Sequence, residues 1–344
     1  MVLHLLTTYI AGSQFRLETT MKKTAWLTVA VALWSVCTWS EAQTTQILQK
    51  PLKILVGFPP GGSADSVARA LIAQLSGIAP SVIVENKPGA GGRIALETVR
   101  SSEPDGSSLV LTPASMMAVY PHIYKKLSYD PAQDFAPVAR VAAAPFVLAV
   151  GPMVPPDITA MPAFLKWGKA NPQKASYGSS GAGSIPHFTG VALGKAADLD
   201  WLHVAYKGAA PAMNDLLAGQ VAANISVMAN ALPHVQAGKL RALAISSAQR
   251  SALLPGVPTF AELGYKDAQA VEWFGLFAPA KTPAETLQRL NQALVAATKT
   301  KAFQEALQKG AFEPMAAETP AGFAAAMRSD LAHWPQLIMV SGIK

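Results

Sequence analysis

The chain has 344 residues, of which 51% are apolar and 14% charged, so it can form one or two packed cores and is not a disordered polymer. Its 25 glycines and 26 prolines follow no collagen-like period, and no internal repeat is present, which excludes solenoids and propellers. The net charge of +7 comes from scattered residues without an aromatic and basic module of the RNA-binding kind. Nucleic acid is therefore not an expected partner, whereas the positive excess suits an anionic small molecule or solubility alone.

The amino-terminal 42 residues have the pattern of a targeting segment. Met21-Lys22-Lys23 precedes an apolar stretch over 25–36 that is too short to span a bilayer, and Ser40-Glu41-Ala42 resembles a cleavage site. This order predicts a cleavable signal peptide over 21–42, with cleavage after Ala42, and therefore a periplasmic protein. Residues 1–20 are interpreted as a non-native extension ahead of the initiator Met21. The alternative reading is a buried apolar helix.

The chain contains one cysteine, Cys37, and it lies within the predicted signal peptide. The mature protein is therefore expected to have neither disulfides nor a thiol nucleophile, and to depend on the size of its core for stability.

After residue 42, apolar and β-branched runs alternate with segments of helical periodicity. Residues 53–58 predict a strand, Pro59-Pro60-Gly61-Gly62 a turn, and the residues that follow a helix capped by Ser63. Further strands are predicted over 82–85, 108–112, 146–150, 175–178, 202–206, 221–226 and 240–246, and further helices over 92–100, 161–170, 186–197, 209–218 and 230–237. Short strands between helices of this length predict parallel α/β sheets.

Two helices near the carboxyl end have strong start signals. The sequence Thr282-Pro283-Ala284-Glu285 predicts the start of a helix with a capping box. In this motif the threonine side chain caps the helix, the proline is the first helical residue, and the glutamate side chain bonds back to the backbone of the threonine. Thr319-Pro320 opens the second helix, whose buried face is predicted to comprise Phe323, Met327, Leu331 and Trp334.

The mature length exceeds what one core usually holds, so two α/β lobes are predicted. Lobe 1 comprises 43–145 together with 250–344, and lobe 2 comprises 146–249. The chain is expected to cross between them near 143–150 and again between 245 and 278.

Enzymatic signatures are incomplete. The glycine turn after residue 56 lacks the lysine of a phosphate-binding loop, Gly89-Ala90-Gly91-Gly92 does not fit dinucleotide spacing, and no histidines form a metal-binding pair. No catalytic residue, cofactor or metal is therefore expected. Gly178-Ser179-Ser180-Gly181-Ala182 loosely resembles a nucleophile elbow, which leaves a secreted serine hydrolase using Ser180 and His187 as an alternative.

Several predicted strands end in small loops rich in hydrogen-bond donors. Ligands of α/β sheets bind outside the carboxyl ends of strands, where helix N-termini present unpaired N–H groups, each favouring an anion by roughly 0.3–1 kcal/mol. A carboxylate fits such a site without lysine or arginine, although each loop alone could be an ordinary turn. The loops are 59–63, 112–115, 179–184 and 206–208.

The same loops and their neighbours resemble the Bug family of extracytoplasmic solute receptors of tripartite tricarboxylate transporters. The resemblance covers nearly all of 51–344 and implies a type II periplasmic-binding-protein fold, whose two lobes are joined by crossover strands and close on a small organic carboxylate without catalysis. It also implies a membrane permease as partner, and a monomer is expected. The matching segments are 58–65, 85–92, 104–106, 129–135, 177–181, 206–208, 231–234, 238–244, 254–259 and 273–276.

Ligand-binding residues follow from the resemblance by position. From lobe 1 they are Phe58, Pro60, Gly61, Gly62, Ser63, Asp65, Thr112, Ala114 and Ser115, and from lobe 2 Ser179, Ser180, Gly183, Ser184, His187, Tyr206, Gly208 and Ser226. Trp273 and Phe274 are expected to form an aromatic or aliphatic wall, unless they belong to the core. Asp65 is expected either to cap its own helix or to receive a ligand amine or hydroxyl.

Ser226 stands where similar proteins commonly carry an acidic residue. Loss of that charge predicts a dicarboxylate or an aromatic carboxylate in preference to an amino acid. A receptor that presents its closed form to a signalling ectodomain remains an alternative to uptake.

Overall fold

A computed structural model describes residues 47–341. The predicted extension, the signal peptide with its cleavage site, and Cys37 all lie outside the described residues. Within the described range, no helix combines the length and apolarity that crossing a bilayer requires.

Strands and helices alternate along most of the chain. The strands are β1 (Leu52–Val56), β2 (Val82–Asn86), β3 (Ser108–Pro113), β4 (Phe135–Val150), β5 (Ser176–Ser179), β6 (Leu202–Ala205), β7 (Ala223–Val227), β8 (Arg241–Ile245), β9 (Val271–Pro279) and β10 (Glu313–Pro314). The helices are α1 (Ser63–Ile72), α2 (Arg93–Arg100), α3 (Tyr120–Ile123), α4 (Met161–Ala170), α5 (Ile185–Ala196), α6 (Ala209–Leu217), α7 (Met228–Gln236), α8 (Ala284–Thr298), α9 (Lys301–Lys309) and α10 (Pro320–Ser341). A π-helical segment, Ser115–Val119, precedes α3.

The strands form one curled sheet with two halves. In the first half, β2, β1 and β3 run parallel and β9 pairs antiparallel with β3. In the second half, β6, β5 and β7 run parallel. The long strand β4 belongs to both halves, because its first part pairs antiparallel with β9 and its last five residues pair antiparallel with β7 and β8.

The predicted parallel arrangement is therefore correct only for the two three-stranded groups. It is wrong for β4, β8, β9 and β10, which are antiparallel to their partners. Helix α7 connects β7 to β8, but β4 pairs antiparallel with both strands and so separates them.

Core residues explain the parallel strands. Ile54, Leu55 and Val56 in β1 are all buried, so the strand is covered on both faces, as is typical of parallel sheets with helices on each side. The buried core extends continuously from β1 across β4 and β9 into the second half, and a smaller cluster lies around α6, α7 and β8.

Most predicted helices are confirmed to within two residues, but two predicted caps are wrong. Gly62 occupies the N-cap of α1, which makes Ser63 its first helical residue. At α8 the N-cap is Pro283, and the buried hydroxyl of Thr282 has no partner among the described residues, so the predicted capping box does not form. The helix begins one residue later than predicted, which carries the threonine away from the N–H groups it would accept.

Candidate functional site

A narrow cavity of about 40 Å³ lies between the two halves of the sheet. Its wall combines apolar side chains with hydroxyl, amide and carboxyl groups, the composition typical of small-molecule sites. The lining residues are Phe58, Gly62, Ser63, Ala64, Pro113, Phe146, Ser180, Pro186, Ala209, Ser226, Val227, Asn230, Glu272 and Phe274.

Four helices begin at this wall. Residues from the first turns of α1, α5, α6 and α7 line the cavity; the first three helices follow a loop at the end of a strand, and α7 follows β7 directly. Each helix N-terminus carries a positive partial charge from its unpaired backbone N–H groups. Because the wall contains neither lysine nor arginine, these termini are the source of positive potential that the wall itself provides.

The hydroxyl of Ser226 offers the cavity an unused hydrogen bond. Ser226 is 2% exposed, lines the cavity from β7, and its Oγ has no partner within the described part of the chain. Asn224 lies two residues earlier on the same face of β7, and both polar atoms of its buried side chain are likewise unpartnered. An unpaired buried polar group costs about 1–3 kcal/mol, so Ser226 gains from a ligand that supplies a partner.

Hydrogen bonds join the two halves at the cavity and beside it. The amide Nδ2 of Asn230, from α7, donates to Oγ of Ser63, from α1, at 2.8 Å. The backbone N–H of Ile185, at the start of α5, donates to Oγ of Ser115 at 3.0 Å. These bonds hold the opposing helix starts close together around the cavity.

Asp65 organises the loop that follows β1. Its Oδ2 accepts from the backbone N–H of Gly61 at 3.0 Å and from Nε of Arg69 at 2.9 Å, and its Oδ1 accepts from Nδ2 of Asn86 at 3.0 Å. Burial raises the pKa of Asp65, but the bonds from Arg69, Gly61 and Asn86 outweigh it and hold that pKa below its usual value.

The Asp65 side chain is 3% exposed and does not line the cavity. It therefore neither caps α1 through its side chain nor reaches the space where a ligand amine would lie. Pro60 and Gly61 are exposed on the outer side of the same loop, so the loop contributes Phe58 and Gly62 to the wall.

A stacked histidine pair lies behind the loop that follows β5. The rings of His187 and His203 are 3.8 Å apart, Nδ1 of His187 accepts from the N–H of Gly183, and Nε2 of His203 lies 2.7 Å from Oγ of Ser179. Ser184 donates to the Gly181 carbonyl in the same cluster. These bonds fix the shape of the 179–184 loop and leave Ser180 at the cavity.

The hydrolase alternative gains no geometric support. The described residues contain no hydrogen bond between Ser180 and His187, whose Nδ1 is occupied by a backbone N–H. Ser179 does contact a histidine, but it is fully buried and does not line the cavity, so no substrate could reach its hydroxyl there.

Acidification is expected to destabilise the protein through the histidine pair. Burial lowers the pKa of His187 to about 4, and burial together with the neighbouring His187 lowers that of His203 to about 3. A folded-state pKa below the unfolded value of about 6.5 gives stability that is complete above pH 6.5 and declines as the pH falls toward 4. At pH 5 the loss is at most about 2 kcal/mol per histidine, less after solvent screening.

Urea unfolding of the wild type and His203→Gln at pH 7 and pH 5 checks this expectation. The wild type should lose more stability between the two pH values than the variant, since the variant has one buried imidazole fewer to protonate. Equal losses in both proteins would contradict it.

The remaining predicted site residues lie around the cavity without lining it. Oγ1 of Thr112 donates to the sulfur of Met116, Ser115 contacts Glu272, and the hydroxyl of Tyr206 donates to Asp215. Gly208 has a φ of +122°, and a Cβ at that position would lie 3.1 Å from Pro59, so glycine permits the close approach of the two loops.

Trp273 faces away from the cavity. Successive residues of β9 point to opposite faces, so Glu272 and Phe274 line the cavity while Trp273 points into a separate open groove. There its indole N–H donates to Oδ2 of Asp330 at 2.7 Å, and Ala114 lines the same groove.

Sequence reasoning missed several wall residues. Ala64, Pro186, Ala209 and Val227 belong to helix starts that were predicted, so the strand-to-helix junctions could have identified them. Phe146 and Glu272 gave no such signal, because their place on the wall depends on the pairing of β4 with β9 and β7. Pro113 belongs to the predicted loop 112–115 and Phe274 to the predicted aromatic wall, and Asn230 completes the set.

The curled α/β sheet has two halves that are joined by connecting strands and enclose a cavity. This arrangement is the two-lobed fold of periplasmic binding proteins. Residues 67–342 match the tripartite tricarboxylate transporter family receptor, TctC. The chain belongs to this family. It is 34% identical to BugT of Bordetella pertussis over 305 residues, which are 86% of this chain and 90% of BugT.

Solved structures are similar over most of their lengths. The periplasmic binding protein BugD is 32% identical with a TM-score of 0.81, covering 86% of this chain and 99% of BugD. MatC from Rhodopseudomonas palustris, solved with bound malate, is 28% identical with a TM-score of 0.78, covering 84% of this chain and 99% of MatC. R. palustris Rpa4515, solved with adipate, is 28% identical with a TM-score of 0.81, and the match covers 85% of this chain and 97% of Rpa4515.

Proposed function

We propose that this receptor binds a small organic carboxylate in the cavity and delivers it to the permease of a tripartite tricarboxylate transporter in the periplasmic space. The observation that carries the proposal is the convergence of four helix N-termini on a wall without basic side chains. Such a wall stabilises a carboxylate through backbone dipoles, and its apolar side chains cover the body of the ligand.

Of the residues predicted from sequence, Phe58, Gly62, Ser63, Ser180 and Ser226 contact the ligand directly in this proposal, since they line the cavity. Most of the other predicted residues shape the loops that carry the first four of these, whereas Ser226 lies in β7 and Ala114 and Trp273 line the separate groove. Lobe 1, comprising 43–145 and 250–344, and lobe 2, comprising 146–249, close on the ligand, and a ligand that touches both lobes favours closure by its differential affinity.

A dicarboxylate or an aromatic carboxylate is the proposed ligand class. The malate and adipate bound by the relatives are dicarboxylates. Ser226, a neutral group in the second lobe, provides no charge for an ammonium group but can bond to a second carboxylate or a hydroxyl.

A thermal-shift screen of the purified protein tests the proposal. Succinate, malate, adipate, benzoate and glutamate are compared, and calorimetry of each hit gives the stoichiometry. We expect a dicarboxylate or benzoate to raise the melting temperature and to bind one to one without product. Micromolar binding of glutamate with no response to succinate, malate or adipate, which lack an ammonium group, would contradict the ligand class, and turnover of an ester substrate would contradict the receptor.

A further inference from the structure

Among the described residues that line the cavity, Glu272 is the one with an ionisable side chain, and none of them is a cation that balances it. The residue is 4% exposed. Its Oε1 accepts from the backbone N–H of Ser115, and its Oε2 lies near Oγ of Ser115, both at 3.4 Å. A charged carboxylate in this position would repel the anionic ligand that the helix N-termini attract.

The neighbouring elements supply no opposite charge either. Ala144 of β4 is the residue paired with Glu272 on the neighbouring strand. Tyr120 of α3 interacts electrostatically with Glu272, but burial raises the pKa of the Tyr120 hydroxyl and keeps that hydroxyl neutral. Of the other charged or titratable groups on elements around the cavity, Asp65 pairs with Arg69 on α1, Arg140 of β4 pairs with Glu318, Asp215 of α6 accepts from Tyr206, and His187 of α5 accepts from Gly183.

Burial therefore determines the protonation of Glu272. It raises the pKa of the carboxyl to about 8, against the opposing effect of hydrogen bonds from Ser115 and Ala114. A carboxyl group kept neutral by an apolar site can donate a hydrogen bond, and an O–H donated to a carboxylate is among the stronger bonds available to a binding site.

We propose that Glu272 acts in ligand binding as a neutral carboxylic acid that donates its O–H to a carboxylate oxygen of the ligand. Glu272 takes this proton from water. The ligand therefore binds as an anion, and the proton in the hydrogen bond belongs to Glu272. The inference rests on the proposed function and adds to it a residue that distinguishes carboxylates from amines. A ligand ammonium group would require the ionised form of Glu272 instead.

Calorimetric titration with succinate and adipate from pH 6 to 9.5 tests the donor role in the wild type, Glu272→Gln and the control Glu313→Gln. Glu313 lies exposed in β10. If only the neutral acid binds, the wild type and the control should lose about tenfold in affinity between pH 7 and pH 9. Glu272→Gln retains a neutral donor, so its affinity should stay within a few-fold of wild type at pH 7 and be independent of pH.

A second measurement needs no ligand. A folded-state pKa of about 8 lies above the usual glutamate value of 4.5, so the stability associated with neutral Glu272 is complete below pH 4.5 and is lost as the pH rises through 8. The melting temperature of Glu272→Gln should therefore rise relative to wild type by about 5 °C or more between pH 5 and pH 9.

The outcomes separate this inference from the proposed function. Wild-type affinity that does not change with pH, loss of dicarboxylate binding in Glu272→Gln, or tight binding of an amine that requires Glu272 would overturn the donor role. A melting-temperature difference independent of pH would overturn the neutral state. Failure of every carboxylate to bind to both proteins, with the melting-temperature shift intact, would contradict the proposed function and remove the donor role with it.

Discussion

Replacement of Asp65 by alanine is expected to lower the free energy of unfolding by about 3 kcal/mol, because it removes the acceptor of three hydrogen bonds from a buried position. Gly61, Arg69 and Asn86 would each lose a partner. Asn86 also donates to the carbonyl of Phe58, so the disturbance reaches the loop that forms one side of the cavity. Ligand affinity should therefore fall together with stability.

Urea unfolding at pH 7 measures the effect on stability. The control is Glu305→Ala, which removes an exposed carboxylate paired with Lys301 on the surface of α9. That loss should stay within about 0.5 kcal/mol, as is usual for exposed ion pairs. If Asp65→Ala and Glu305→Ala lose the same stability, the Asp65 network does not organise the loop.

Replacement of Ala209 by phenylalanine is expected to weaken carboxylate binding by about a hundredfold or more, equivalent to roughly 3 kcal/mol, by placing a ring in the space the ligand needs. Ala209 is the first residue of α6, lines the cavity and is partly exposed. Because it is not a close-packed core position, stability should change by no more than about 1 kcal/mol.

The matched control is Ala210→Phe, one residue further along α6 at a similar exposure but off the cavity wall. Calorimetry with the carboxylate identified by the screen compares the two variants. Ala210→Phe should bind nearly as well as the wild type. Equal affinities for both variants would show that the ligand binds elsewhere.

The sequence was sufficient to locate part of each side of the cavity. Glycine and serine after the predicted strands β1 and β5 indicated loops at the carboxyl ends of parallel strands, and Gly62, Ser63 and Ser180 do line the same cavity. This success has a local cause, since turn chemistry and helix start signals depend on neighbouring residues.

Features that depend on distant pairing could not be predicted. β4 begins at Phe135, but only its last five residues were predicted as a strand, because Pro137, Arg140 and Pro145 interrupt the apolar pattern. The partner strand β9 supplies what local propensity lacks, and it lies more than a hundred residues further along the chain.

The orientations of Glu272 and Trp273 likewise depend on distant strand pairing and could not be predicted from the sequence. A glutamate flanked by apolar residues in a strand is ordinarily read as solvent-facing, yet here its face of β9 is the cavity wall, and Trp273 takes the opposite face. Which face is which follows from the register of β9 against β3 and β4. Likewise, the contact between His187 and His203 links two elements whose spacing in the sequence has no metal-binding or catalytic pattern.

The most direct measurement is a crystal structure of the protein grown with the tightest-binding carboxylate, accompanied by mass spectrometry of the ligand recovered from the crystals. We predict the carboxylate in the cavity between the two halves of the sheet, in contact with Ser226 and Glu272, and recovered with its mass unchanged. A ligand seated in the groove beside Trp273 would contradict the assignment of the cavity as the binding site, and a ligand recovered as a reaction product would contradict the assignment of this protein as a carboxylate receptor.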